Sequence, residues 1–210
     1  YITTANYGSM PEVEAAVRIV RQAHKPVSGT SERGIRYSAN QPQLGAWVHN
    51  TLTDSFLEAY QTFCQGLTAQ EADQFVQEQA KIGELLGVTE LPLTASDLRN
   101  WVTEHPSLSD SEALRSAWDF LRKPPLQAGQ LLGYKVVRAA AVATLPSELA
   151  QLAGTSSRRG AVVGGQCIVS SLRWAMKHSP AWKAALDRCG ASYDATKFRS
   201  FEEPSPTEDH

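Results

Sequence analysis

Apolar residues recur along this chain at intervals of three and four positions, the spacing of amphipathic α-helices. The first such segment runs from Ser9 to His24 and is followed by Pro26. Ser9 and Glu12 form a capping-box signature, and a proline ends a helix because it cannot continue the hydrogen-bond ladder. The pattern predicts a helix with one apolar face, and the members of that face are Val13, Val17, Val20 and His24.

A second, longer helix is predicted from Asn40 to Phe63, after a loop over residues 27–39 that is rich in glycine, serine and threonine. It would have about six turns at the usual 3.6 residues per turn. One face carries a histidine among apolar side chains, with a glycine one turn away. We expect this face to be buried or partly buried, and its members are Gly45, His49, Leu52, Phe56, Ala59 and Phe63.

Further helices follow with the same period. Three of them are predicted to begin at polar caps, which are Thr68, Thr94 and Ser109. The segment 130–144 is the most apolar, so we expect it to be central in the fold. Shorter helices are predicted around Leu149, Leu172 and Leu186.

No segment shows the alternation of a β-strand, and Gly164-Gly165 indicates a turn that precedes a buried thiol at Cys167. The predicted fold is therefore all-α, a multi-helix globin-like bundle in a single domain. We expect this domain to span residues 1–200 and residues 201–210 to form a disordered tail.

Composition and charge exclude several classes of protein. The net charge is −2 over 210 residues, without a basic face for nucleic acid, so we expect no nucleic-acid partner. No apolar run approaches the ~20 residues of a transmembrane helix, so none is expected in this chain. Three cysteines, an odd number, favour a reducing, cytoplasmic location, although a targeting segment could precede Tyr1.

His49 is the candidate for chemistry, and periodicity leaves two interpretations of it open. A neutral imidazole in an apolar cleft can bind haem iron, and Gly45 would leave space for a flat macrocycle. A core histidine bonded to a backbone carbonyl fits the same pattern. His24 ends a second apolar face, and Arg21 is either a solvated charge or a partner for a carboxylate. No di-iron Glu-x-x-His, zinc His-Glu-x-x-His or nucleotide-binding glycine motif is present.

A series of short motifs runs from Tyr7 to about Leu93. They are Tyr7-Gly8, Arg21–Val27, Gly29-Thr30, Tyr37–Pro42, Trp47–Thr51 and Asp54-Ser55 with Tyr60. In order and spacing this series resembles the haem-b oxygenase family that includes rubber oxygenase and the endoplasmic-reticulum oxygenase of mycophenolic acid biosynthesis.

The resemblance implies non-covalent haem b, with His49 as the proximal iron ligand and therefore the metal-binding residue. Gly45, Leu52 and Phe56 would join it in binding the cofactor, while Arg21 and His24 match the helix that carries the distal residues and would be catalytic. In rubber oxygenase a lysine stands where this chain has His24. Family members usually have further helices before the Tyr-Gly segment, and we expect haem retention to depend on them.

The function expected from this resemblance is a haem-b-dependent oxygenase that acts with dioxygen on a small hydrophobic substrate, such as a prenyl or alkene chain. Two alternatives remain at this stage. One is a non-catalytic helical binding or interaction protein in which both histidines are structural, and the other is a haem carrier or sensor without turnover.

Overall fold

The computed structural model describes residues 2–64, 66–157, 159–176 and 179–191. Over these ranges the chain is mostly helical, which confirms the all-α class. The helices are α1 (Ile2–Tyr7), α2 (Met10–His24), α3 (Pro42–Phe63), α4 (Ala69–Leu85), α5 (Ala95–Thr103), α6 (Glu112–Arg122), α7 (Ala128–Ala143), α8 (Ser147–Leu152), α9 (Ala161–Met176) and α10 (Pro180–Cys189).

The cap signals in the sequence locate the starts of three helices, α2, α4 and α5. The Ser9 amide donates to the Glu12 carboxylate at 2.7 Å, which completes the predicted capping box of α2. Thr68 caps α4 in the same way, and Thr94 accepts a hydrogen bond from the amide of Asp97 at the start of α5. The cap predicted at Ser109 is wrong because Ser111, two residues later, caps α6.

The segment predicted as a loop over residues 27–39 contains a β-hairpin. Strands β1 (Ser28–Thr30) and β2 (Arg36–Ser38) pair antiparallel, with Gly29 opposite Tyr37. A Cβ at Gly29 would lie 2.9 Å from the Tyr37 hydroxyl oxygen, so glycine leaves the space that the aromatic ring occupies. Three residues per strand are too few for a visible alternation, and for that reason the pattern missed the hairpin.

Helix α3 lies at the centre of the packing and contacts α4, α5 and α9. It begins at Pro42, with Gln41 as the N-cap residue. The predicted cap residue Asn40 does not cap the helix, and its side chain donates to the Arg21 carbonyl at 3.2 Å. Its buried side differs from the predicted face, since only Phe63 belongs to both. The buried residues are Ala46, Asn50, Thr53, Asp54, Leu57 and Phe63.

The core joins α3 to α4 and α5. Its buried apolar members are Leu57, Ala72, Val76, Leu98 and Val102. Beside them, Arg99 on α5 contacts two carboxylates of α3, with its Nε 3.1 Å from Asp54 and its Nη2 2.6 Å from Glu58. Burial raises the pKa of Asp54, and the Arg99 charge opposes that shift. This ion pair compensates the charge that α3 buries.

Two expectations about the C-terminal helices are wrong. Helix α7 is not central: it buries Ala140 and Val142, whereas Leu132 is 72% exposed. Gly164 and Gly165 do not form a turn but lie inside α9, and Cys167 is exposed. Two small residues in sequence suit a close helix crossing as well as a turn, and the packing of α7 against α9 selects the crossing.

The predicted tail at 201–210 lies outside the described residues, so the proposed domain boundary stays a prediction. Among the described helices, none combines the length and the apolar character that crossing a bilayer requires.

The crossing at Gly165 yields a stability prediction. A Cβ there would lie 2.5 Å from Phe63 Cε1 and 2.9 Å from Ala140 Cβ, so a methyl group forces α9 away from both neighbours. We expect Gly165→Ala to lower the free energy of unfolding by about 1–3 kcal/mol in urea denaturation.

Gly133→Ala is the matched control, since this helical glycine of α7 has nothing within 4 Å of an added Cβ. It should be neutral or stabilising by about 0.5–1 kcal/mol, because alanine is the better helix former. Equal effects of the two substitutions would contradict the crossing.

Candidate functional site

A cavity of about 960 Å³ lies between α1, α2, the hairpin, α3 and α4. Its lining is mainly apolar, and its volume is at the upper end of the roughly 300–1,000 Å³ that ligand sites occupy. It opens to solvent along α3, where Val48 is 55% exposed and Phe56 is 47% exposed. Apolar side chains exposed along one concave surface are typical of a binding site and not of a protein exterior.

The structure brings to this cavity all six residues that the sequence analysis singled out. Helix α2 contributes two of them and α3 contributes four, and the six are Arg21, His24, Gly45, His49, Leu52 and Phe56. Leu52 and Phe56 are exposed where the pattern predicted burial, because the face they share borders the cavity and the opposite face of α3 packs against the core.

His49 is half-buried between the cavity and α4. An ideal Cβ built on Gly83 would lie 3.0 Å from the ring atom Nε2 of His49, so the ring packs directly against the backbone of α4. Burial lowers the pKa of His49 from its ordinary value of 6.5, and a backbone hydrogen bond with Gln79 partly opposes this shift. The imidazole is therefore neutral at pH 7, the form in which a histidine binds metals.

Gly45 has a different neighbour from the one expected. It borders the cavity, but a Cβ at this position would meet Val88 Cγ2 at 3.1 Å. The missing side chain thus lets the segment after α4 approach α3, and the space at Gly45 goes to Val88 more than to a ligand.

Arg21 is held at the C-terminal end of α4. Its Nη2 donates to the Leu85 carbonyl at 3.3 Å, where the helix dipole favours a cation. Gly87 has a positive φ of 77°, and a Cβ there would lie 3.2 Å from the same nitrogen. Arg21 therefore places a positive charge at the border of an apolar cavity, with donors left for an anionic group.

His24 is the last residue of α2 and is half-buried at the cavity. Its carbonyl accepts a hydrogen bond from the amide of Val27, which fixes the turn into the hairpin. Its imidazole forms no hydrogen bond with the residues that the structure describes. The ring is thus available to a ligand.

The buried side of α3 secures the wall that carries His49. Asn50 is 1% exposed and donates from Nδ2 to the Glu90 carbonyl at 3.1 Å. Glu90 has a φ of 57°, a left-handed conformation that costs a residue with a Cβ about 1–2 kcal/mol. The buried amide stabilises this turn and so holds the segment after α4 against α3.

An aromatic cluster forms another part of the wall. Trp47 lines the cavity, and its ring centroid lies 4.7 Å from that of His105 and 5.9 Å from that of Trp101. The amide of Ser107 donates to Nδ1 of His105 at 3.2 Å. His105 lies beyond the end of α5, and its ring is tilted by 50° to the ring of Trp47 and by 52° to that of Trp101.

Sequence reasoning missed the cavity residues from the hairpin and α4, because they approach α3 only in the folded chain. The signal for α4 was present: Gly83 interrupts an otherwise amphipathic helix, and a glycine there marks a close approach. The missed lining residues include Tyr37, Gln79, Ile82, Leu86 and Val88.

Comparison with known proteins identifies the family. A family model described as "ER-bound oxygenase mpaB/B'/Rubber oxygenase, catalytic domain" matches residues 1–178, which is 178 of the 210 residues. The chain therefore belongs to this family of oxygenase catalytic domains, and the match extends beyond the Tyr7 to Leu93 region that carried the resemblance. No curated protein and no solved structure matches it.

The lowered pKa of His49 predicts a pH effect on stability. Between the folded-state pKa and the unfolded value of 6.5 the unfolded chain binds more protons, so stability falls as pH decreases through this window. His49→Gln removes the group. In urea denaturation at pH about 7.5 and about 5.5, we expect the wild type to lose more stability on acidification than the variant. An equal loss in both proteins would show that His49 titrates normally.

Proposed function

We propose that this member of the mpaB/rubber oxygenase family is a haem-b-dependent oxygenase that acts with dioxygen on a small hydrophobic substrate of the alkene or prenyl type. The observation that carries the proposal is the cavity between α2 and α3. It combines a mainly apolar lining with a neutral histidine from α3 and a histidine and an arginine from α2.

The donor set of the cavity fits haem. Haem iron needs one or two axial ligands from the protein, since the macrocycle supplies the other four, and an imidazole is the usual proximal ligand. His49 offers a neutral ring at the cavity surface, and His24 borders the same cavity. Among the described residues there is no group of three or more His, Cys, Asp or Glu that could hold a bare metal ion. One histidine in an apolar cavity suits haem better than it suits such an ion.

Each cavity residue has a stated role in this proposal. His49 would hold the cofactor, which supplies the binding and activation of dioxygen. Arg21 would bind a propionate or stabilise negative charge that develops on the oxygen, because its guanidinium borders the cavity and can donate to an anionic group. His24 would donate or accept a proton on the distal side. Leu52 and Phe56 would bind the apolar substrate and exclude water.

The iron ligand can be tested by spectroscopy. We expect the natural full-length protein to give a haem Soret band that His49→Ala removes or shifts, because the proximal ligand is lost. His24→Ala should retain the proximal signature. If the wild type shows no specific Soret shift on addition of haem, the proposal is wrong. If only His24→Ala removes the band, the two histidines have the opposite roles.

Turnover separates an oxygenase from a haem carrier or sensor. We expect the haem-loaded protein to consume dioxygen when an unsaturated apolar substrate is added. Leu52→Glu should raise the KM about tenfold or more, because a charge in the cavity disfavours an apolar ligand.

Leu132→Glu on α7 is the matched control, as this leucine is also exposed but lies outside the cavity. It should leave the KM unchanged. A saturable haem signal without oxygen consumption would favour a carrier or sensor, and an equal effect of both variants would place the substrate elsewhere.

A further inference from the structure

Gly83 is a buried glycine in the last turns of α4, and two side chains fill the space where its own would be. A Cβ there would lie 2.7 Å from Leu91 Cδ2, 3.0 Å from His49 Nε2 and 3.1 Å from His49 Cδ2. Real Cβ atoms do not come as close as 2.7 Å to another heavy atom. The edge of the His49 ring thus occupies space that exists only because residue 83 has no side chain.

The backbone of α4 also interacts with the ring at Gln79. Gln79 lies one helical turn before Gly83, and a backbone hydrogen bond with Gln79 favours the protonated form of the His49 ring. A carbonyl inside a helix is fixed in direction by the helix itself, so it cannot follow a ring that moves away. The contact at Gly83 and the bond with Gln79 therefore require the same ring position.

We propose that Gly83 is a positioning residue for His49: its bare backbone lets the ring reach the Gln79 carbonyl, which takes one ring N–H and leaves the other nitrogen as a lone pair directed away from α4. The two nitrogens of imidazole point in nearly opposite directions. Ring histidines that bind metals usually donate their second N–H to a carbonyl or carboxylate, which fixes the ring orientation. The use of the lone pair for iron rests on the proposed function, whereas the placement of the ring does not.

The surroundings of Gly83 prevent the ring from adapting. The Gly83 carbonyl accepts hydrogen bonds from the amides of Leu86 and Val88, which ties the end of α4 to the following segment. The buried Asn50 amide holds Glu90 beside Leu91, so Leu91 is confined as well. With both neighbours confined, a methyl group at residue 83 displaces the His49 ring.

The position of the ring can be measured without haem. In the full-length protein we expect an exchange-protected His49 ring N–H signal in the proton NMR spectrum, and a nuclear Overhauser effect between His49 Hδ2 and Gly83 Hα. Gly83→Ala should lose the protected N–H signal while circular dichroism remains helical. Gly133→Ala, a helical glycine with open space around it, should retain it. A protected signal that persists in Gly83→Ala would overturn the proposal.

A second variant separates positioning from a general loss of packing. Gly83→Ala with Leu91→Ala removes the contact at 2.7 Å but keeps the one with His49 at 3.0 Å. We expect the double variant to recover stability towards that of Leu91→Ala alone, with the ring N–H signal still absent. Recovery of both together would show that Gly83 serves packing only.

Haem binding provides the final readout. Loss of a supporting contact to a metal-binding histidine weakens metal affinity by about 10–100-fold, so we expect that loss of haem affinity in Gly83→Ala. If the wild type does not bind haem, the proposed function fails while the NMR result still decides the role of Gly83. If the variant loses the N–H signal yet binds haem with wild-type affinity, Gly83 positions the ring, but the use of the ring's lone pair for iron is overturned.

Discussion

The contact between α3 and α4 at His49 is the constraint on which the cavity depends. It brings a ring against a helix backbone, and this is sterically allowed only because residue 83 is glycine. The turn after α4 must then fold back over α3, with Val88 against Gly45 and Asn50 bonded to Glu90. The His49 ring is therefore held against the backbone of α4 while buried groups hold the following segment against α3, which is how a protein holds a ring within the narrow tolerance of a binding site.

Local chemistry made most of the helices predictable. The capping box at Ser9 and the cap at Thr94 act within three residues, so they can be identified from the sequence alone. Tertiary packing determines which helices are central and which are peripheral, and the sequence pattern does not show this. Segment 130–144 is apolar, yet α7 lies at the periphery and leaves Leu132 exposed, because apolar character shows that a helix has surface to bury but not which partner is present.

At the candidate site, too, local spacing was predictable and tertiary packing was not. Spacing placed Gly45, His49, Leu52 and Phe56 on one face of α3, and the structure brings that face to the cavity. Spacing could not tell a buried face from a cavity wall, since both are apolar. Tyr37 and Gln79 were missed because nothing local links them to α3. The resemblance to a family supplied the chemistry of the site, and the family match supports its oxygenase class.

Helix α3 buries several polar groups beside its apolar ones and exposes large apolar side chains, which is unusual for a simple soluble helix. Asn50, Thr53 and Asp54 are buried, whereas Leu52 and Phe56 are exposed at the cavity. The buried polar groups are tolerable because each has a partner: the Glu90 and His49 carbonyls accept from Asn50 and Thr53, and Arg99 pairs with Asp54. The exposed apolar groups have no such compensation in the protein alone, and each leaves roughly 25 cal/mol per Å² of hydrophobic stabilisation unrealised. A ligand that covers this wall gains that free energy, so the folded state and the ligand-bound state stabilise each other. The arrangement of α3 is thus best understood as a compromise in which polar groups maintain the fold and apolar groups are kept for the ligand.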